Sequence, residues 1–189
     1  MDKSEESWDH RWLEKSAAPL EPDPWLKRAL PWFPRTGKVL DIACGRGRNA
    51  LHLAELGFQV TGIDISRTGL NLLSQEAAKS GLQLDLQQID LELTETLPAG
   101  PFDVILNFFY LQRSLFPCIK RDLSPGGIAV IRTFSLAGGL PAGPSNLAFH
   151  LQPHELLEVF SGWDILLHEE GVEQARNGGG LAGIVVKKV

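Results

Sequence analysis

Val39-Leu-Asp-Ile-Ala-Cys-Gly-Arg-Gly-Arg-Asn49 decides how this chain folds. A short apolar run ends in an acid, turns through two glycines and continues into a helical pattern. Gly45 and Gly47 supply the positive φ that a tight strand-to-helix turn requires, and with no Cβ they let backbone approach a ligand closely. Strand, glycine turn and helix in this order make the first unit of a nucleotide-binding α/β sheet. The acid is the informative departure. A pyrophosphate at such a turn would put negative charge at the helix N-terminus, where Asp41, four residues before Gly45, would repel it. Asp41 suits a ligand that carries positive charge.

S-adenosylmethionine, with an ammonium and a sulfonium, is such a ligand, and the next two strand patterns extend the case. Phe58-Gln-Val-Thr-Gly-Ile-Asp64 alternates like a strand and ends in an acid roughly 20 residues past the glycine turn, where a carboxylate accepts both ribose hydroxyls. Ile65 follows it. Gln83-Leu-Asp-Leu-Gln-Gln-Ile-Asp90-Leu91 reads as a further strand. Asp90 at its end suits an adenine amino group, with Leu91 or Ile89 packing on the ring. Three strands that each end in an acid point to one shared ligand.

Apolar runs near 37–42, 58–63, 83–89, 102–108 and 126–133 alternate with helical stretches, predicting a parallel sheet covered on both faces. The first helix is expected from Arg46 to Leu56 with Gly57 as its stop, the second from the N-cap Ser66 to Gly81, and a third over Leu111 to Leu123. Residues 135–151 follow as a long loop with five glycines or prolines in its first ten residues (Gly138, Gly139, Pro141, Gly143, Pro144). A loop of that length in a compact domain usually has a function or is disordered. Pro153 opens a last helix, and 163–169 with 180–187 read as a closing antiparallel pair. The fold class is therefore α/β: a single Rossmann-like, doubly wound sheet, mostly parallel, with an antiparallel C-terminal hairpin strand and helices on both faces. Residues 1–35 hold four of the five Trp and five of the twelve Pro, and read as an N-terminal aromatic flap on a domain of residues 36–189.

These residues resemble a class I S-adenosylmethionine-dependent methyltransferase. More narrowly, Trp8-Asp-His-Arg-Trp12, Leu40-Asp-Ile-Ala-Cys-Gly-Arg-Gly-Arg-Asn49 and Gly143-Pro-Ser-Asn-Leu-Ala-Phe-His-Leu151 resemble the tellurite-resistance (TehB-like) and thiol methyltransferases. The resemblance implies S-adenosyl-L-methionine as cofactor. It puts Asp41, Gly45 and Gly47 around the methionine part, Asp64 on the ribose, Asp90 with Leu91 at the adenine and Asn107 beside the transferable methyl, and counts Ala43, Asn49 and Ile65 among the cofactor-binding residues. It also implies that Trp12 closes over the site with the flap. A His-Arg pairing expected in the final strands of that narrower group is missing here, where only Arg176 is available.

With 189 residues and 43% hydrophobic content the chain buries one sizeable core. Its net charge of -5 gives no electrostatic footprint for nucleic acid, and no run approaches the roughly 18 apolar residues of a membrane span. A small-molecule acceptor and a cytoplasmic location are expected, as monomer or homodimer. Cys44 and Cys118 lack zinc-ligand spacing, and His150 and His154 flank Pro153 without a third ligand, so no metal is expected.

Methyl transfer is an in-line displacement at an activated carbon, so positioning and acceptor stabilisation supply most of the rate. Arg113, Arg132 and Arg176 are the candidate cations for an ionised soft acceptor such as a thiol or a tellurium or selenium species. His150 is the candidate base for a protic acceptor. Two alternatives stay open. Gly45-Arg-Gly-Arg-Asn-Ala50 fits G-x-G-x-x-A, the mark of an NAD-linked oxidoreductase, and a non-catalytic S-adenosylmethionine-binding module needs only the cofactor residues.

Overall fold

The structure is a computed structural model that describes residues 4–94, 96–139, 143–176 and 178–189. Seven strands form one sheet in the order β3-β2-β1-β4-β5-β7-β6. They are β1 (Lys38–Ile42), β2 (Gln59–Asp64), β3 (Asp85–Gln88), β4 (Phe102–Phe108), β5 (Leu123–Phe134), β6 (Asp164–Gln174) and β7 (Gly180–Lys187). The first five pair in parallel, while β7 runs antiparallel to both β5 and β6. The helices are α1 (Glu5–Glu14), α2 (Pro24–Ala29), α3 (Arg48–Glu55), α4 (Arg67–Lys79), α5 (Leu115–Asp122) and α6 (Glu155–Val159).

Side chains of alternate strand residues feed two separate cores, which is what makes the sheet doubly wound. Val39, Val104, Leu106 and Val130 pack with Trp25, Ala50, Leu53 and Leu73 from α2, α3 and α4. Leu40, Ile42, Ile105 and Ile131 pack with Leu115, Ile119 and Leu156 from α5 and α6. Each large aliphatic side chain so buried contributes roughly 1.5–3 kcal/mol, so the central strands anchor everything mounted on their ends. The chain winds outward from β1 through β2 to β3, then crosses back to β4 beside β1. That reversal opens a crevice at the carboxyl ends of β1 and β4, where ligands of such sheets sit.

β6 runs on to Gln174, five residues past its expected end at 169. Four further boundaries differ from the sequence reading, each for a local reason. α3 starts at Arg48 instead of Arg46, because Gly45 and Gly47 both hold positive φ (56° and 74°) and cannot join a right-handed helix. The third helix starts at Leu115 because Phe109 has a φ of 58° and the stretch after it forms turns before the helix begins. The Ser124-Pro-Gly-Gly127 stretch, just past the expected end of that helix at Leu123, lies inside β5 as the irregularity between the Phe102 and Val104 pairings. β3 ends at Gln88, two residues short of Asp90. The Ile89 amide still donates to the Asp64 carbonyl, and then the Asp90 carboxylate accepts from the Glu92 amide in a turn that leads the chain off the sheet. Asp90 is thus in a turn and not at a strand end. The predicted loop is described at 135–139 and 143–151; Pro141 lies outside the described residues.

Candidate cofactor and acceptor site

β1 delivers Asp41 to the crevice and β2 delivers Asp64 beside it, both buried. Burial pushes the Asp41 carboxyl up to about 7, and the charge of Arg48 together with the Ala50 amide only partly offset this. Asp64 is also raised by burial, though the amides of Ser66 and Gly45 oppose it. Gly45 donates to Asp64 Oδ2 at 2.7 Å and Ser66 donates to Oδ1 at 2.8 Å. Each carboxylate oxygen keeps a second lone pair for a ligand hydroxyl. Ala43 between the two acids has a φ of 55°. Left-handed backbone at Ala43 and at Phe109 is strain of the kind that concentrates at functional sites.

Glycine is required at both turn positions by space as well as conformation. A Cβ on Gly45 would lie 2.4 Å from the Trp12 ring, and one on Gly47 would lie 2.3 Å from Leu73. Trp12 thus rests directly on the turn, stacked on Trp8 with centroids 6.1 Å apart. Helix α1 is fixed there by Asp9, which accepts from the Ser66 hydroxyl and the Thr68 amide, and by Arg46, which donates to the carbonyls of Lys15 and Ala18.

Asn49 is buried, and its Oδ1 accepts from the Asp23 amide at 2.9 Å. Leu91 is buried in the core beside α5, and its carbonyl accepts from Gln112. The Ile65 carbonyl accepts from Gln88. Asn107 ends β4 fully buried, and its Oδ1, like the Trp12 indole nitrogen, has no hydrogen-bond partner among the described residues. Buried polar atoms without partners are rare, and two of them here mark where a ligand's polar groups are expected.

The candidate cations divide. Arg132 is buried between two carboxylates, donating to Asp23 Oδ1 at 2.8 Å and to Glu173. Asp23 also takes Arg48 at 2.7 Å and caps α2 through the Trp25 amide. Arg113 spends its donors on Glu155 and on the carbonyls of Ala148 and His150. Arg176 is exposed on the hairpin, with its charge felt by Lys15. His150 is buried, its ring 5.9 Å from that of Phe134.

Asp23, Asp9 and Arg46 escaped the sequence reading as site-organising residues. Asp23-Pro24 did carry a signal, an acid before a proline at a helix start. Two surface hollows, of about 480 Å³ beside Pro101 and Asp122 and about 370 Å³ beside Gly37 and Asp103, lie at the amino ends of the strands and contain none of these residues. No group of three His, Cys, Asp or Glu among the described residues is arranged to hold a metal. No described helix is long and apolar enough to cross a membrane.

Residues 39–127 match the methyltransferase domain family. The chain carries a class I S-adenosylmethionine-dependent methyltransferase domain, and S-adenosyl-L-methionine is the cofactor of that class. It is 35% identical over 139 residues to a ubiquinone biosynthesis O-methyltransferase of Nitrosococcus oceani, covering 63% of this chain and 59% of that protein. Within the class the chain resembles the TehB-like group: it is 29% identical over 140 residues to the probable S-adenosyl-L-methionine-dependent methyltransferase TehB of Haemophilus influenzae, covering 71% of this chain and 49% of that one. The crystal structure of TehB from Haemophilus influenzae superposes with a TM-score of 0.80 at 21% identity, over 96% of this chain and 67% of that chain. The chain thus spans about half to three-fifths of the length of these curated relatives.

Proposed function

We propose that the domain transfers a methyl group from S-adenosylmethionine to a small acceptor. The observation that carries this is Asp41: a buried carboxylate directly ahead of the glycine turn complements a cationic ligand and opposes a pyrophosphate. The Asn107 oxygen and the Trp12 indole nitrogen, without hydrogen-bond partners among the described residues, fit a ligand that brings polar groups to these places. In this reading Asp41 holds the ammonium, Asp64 accepts the ribose hydroxyls, Asp90 with Ile65 and Leu91 borders the adenine, and Asn107 lies beside the reacting carbon. When bound, the cofactor supplies a methyl group already activated by a positive sulfur.

Within the N-terminal segment 1–35, α1 acts as a flap that Trp12 seats on the turn, while α2 packs into the core through Trp25, Leu26 and Ala29. Arg132 and Arg113, whose donors are held by protein partners, act as positioning residues. Arg176 is the cation available to an ionised acceptor. Likeness to the TehB-like group supports a soft nucleophile as acceptor, either a thiol or a tellurite- or selenite-derived species. Labelled S-adenosylmethionine incubated with tellurite, selenite, a thiol, a thiopurine and a phenol, with headspace capture, tests the reading. Label in a volatile or extractable methylated product is expected. Cofactor binding without transfer to any of them would favour the non-catalytic module.

A further inference from the structure

The acceptor side of the crevice has a chemistry of its own. The Phe109 amide donates to the Arg132 carbonyl at 2.8 Å, which holds Phe109 beside the end of β5. Its ring meets Phe134 edge-on at 5.9 Å, Phe134 meets the His150 ring at 5.9 Å, and Arg48 from the glycine-turn helix lies over Phe109 at 5.5 Å. A continuous row, Arg48-Phe109-Phe134-His150, therefore runs from the cofactor turn to the loop after β5. Phe109 is 37% exposed. The far end of the row is held by pairing: the Leu151 amide donates to the Phe134 carbonyl, and Arg113 grips the His150 carbonyl.

His150 is 4% exposed, and its Nδ1 has no hydrogen-bond partner among the described residues. Leaving such a nitrogen buried and unpaired is costly unless a ligand completes it. Arg113 and Arg132, two of the three candidate cations for a pre-formed anion, already face carboxylates.

We infer that the acceptor is an aromatic ring bearing a weakly acidic hydroxyl or thiol, with the ring against Phe109 and Phe134 and the proton taken by His150. This rests on the methyltransferase reading and puts an aryl hydroxyl or thiol in place of the soft inorganic acceptor. Imidazole is the side chain suited to accept a proton near neutral pH. The O–H or S–H proton passes to a ring nitrogen of His150, and the freed electron pair forms the bond to the donor's methyl carbon. The electron pair of the broken carbon–sulfur bond stays on sulfur, and the imidazolium returns its proton to solvent. A neutral methylated acceptor leaves.

The test uses the full chain and para-nitrophenol, whose visible absorbance reads its ionised form, bound to the protein's S-adenosylhomocysteine complex. Wild-type protein is expected to hold the probe as phenolate and His150→Gln to hold it neutral. The variant is expected to lose about 100-fold in methyl transfer to phenol or thiophenol, the scale of general-base catalysis, with cofactor affinity unchanged. Equal probe ionisation in the two proteins, or loss of cofactor affinity together with turnover, overturns the assignment. So does a wild type that methylates tellurite or selenite and no aryl acceptor, an outcome that does not depend on the variant folding. A wild type that binds no S-adenosylmethionine, seen by calorimetry before any acceptor is added, overturns the methyltransferase reading itself.

Discussion

The Gly45 amide donates to the Asp64 carboxylate at 2.7 Å, tying the turn after β1 to the acid that ends β2. One hydrogen bond thus fixes the relative position of the two parts of the site that a nucleoside-bearing amino acid must bridge. Asp64→Ala leaves the amides of Gly45 and Ser66 without their acceptor in a buried place. A loss of about 1–3 kcal/mol in folding stability is expected, with weaker cofactor binding beyond it. Urea denaturation and calorimetric titration of the variant check both; retention of full cofactor affinity would move the ribose elsewhere.

Gly45→Ala forces a methyl group against the Trp12 ring at a residue whose φ is 56°. The expected result is displacement of α1 from the turn, read as a red shift in tryptophan emission and lower cofactor affinity. An unshifted spectrum would mean that Trp12 does not rest there in solution.

Arg132 sits with Asp23 in a buried pair, each side chain 4% exposed. Arg132→Met strands the Asp23 carboxylate with Arg48 as its remaining cation, and about 3–5 kcal/mol of stability should be lost, as when one partner of a buried pair is removed. Asp23→Asn combined with it should cost less than the sum of the single changes. Additive losses would show that the pair is not coupled.

Asp41 gives stability a pH dependence of calculable sign. Its folded pKa of about 7 exceeds its ordinary 3.8, so the fold favours the protonated form. The contribution is full below the unfolded value and is lost as pH rises from there to about 7. Asp41→Asn should therefore stabilise the protein more at about pH 8 than at about pH 5, checked by denaturation midpoints. The same gain at both would mean that Asp41 is ionised throughout.

The sheet was legible because its central strands are buried on both faces and read as apolar runs, and because the glycines at 45 and 47 have no other use than the turn they make. β4 and β7 coincide with their predicted spans, whereas β6 runs past its expected end at 169. The acids at 41 and 64 were legible for the same reason, since a charged residue ending an apolar strand has few structural uses. What escaped depends on distant partners. No local pattern reports that Arg132 meets Asp23 across 109 residues, that Arg113 closes on Glu155, or that Asn49 serves the N-terminal segment, so the guanidinium groups read as free cations. The turn at Asp90 was hidden because a strand that ends and a turn that begins share the same polar residues.

Calorimetric titration with S-adenosylmethionine and with NAD, repeated from about pH 6 to about pH 8, tests the central claim most directly. A cation placed on Asp41 favours its ionised form. S-adenosylmethionine should therefore bind with release of a proton near neutrality, more tightly as pH rises through about 7, and Asp41→Asn should abolish that dependence. NAD binding with proton uptake that weakens as pH rises would instead place an anion beside Asp41 and contradict the account.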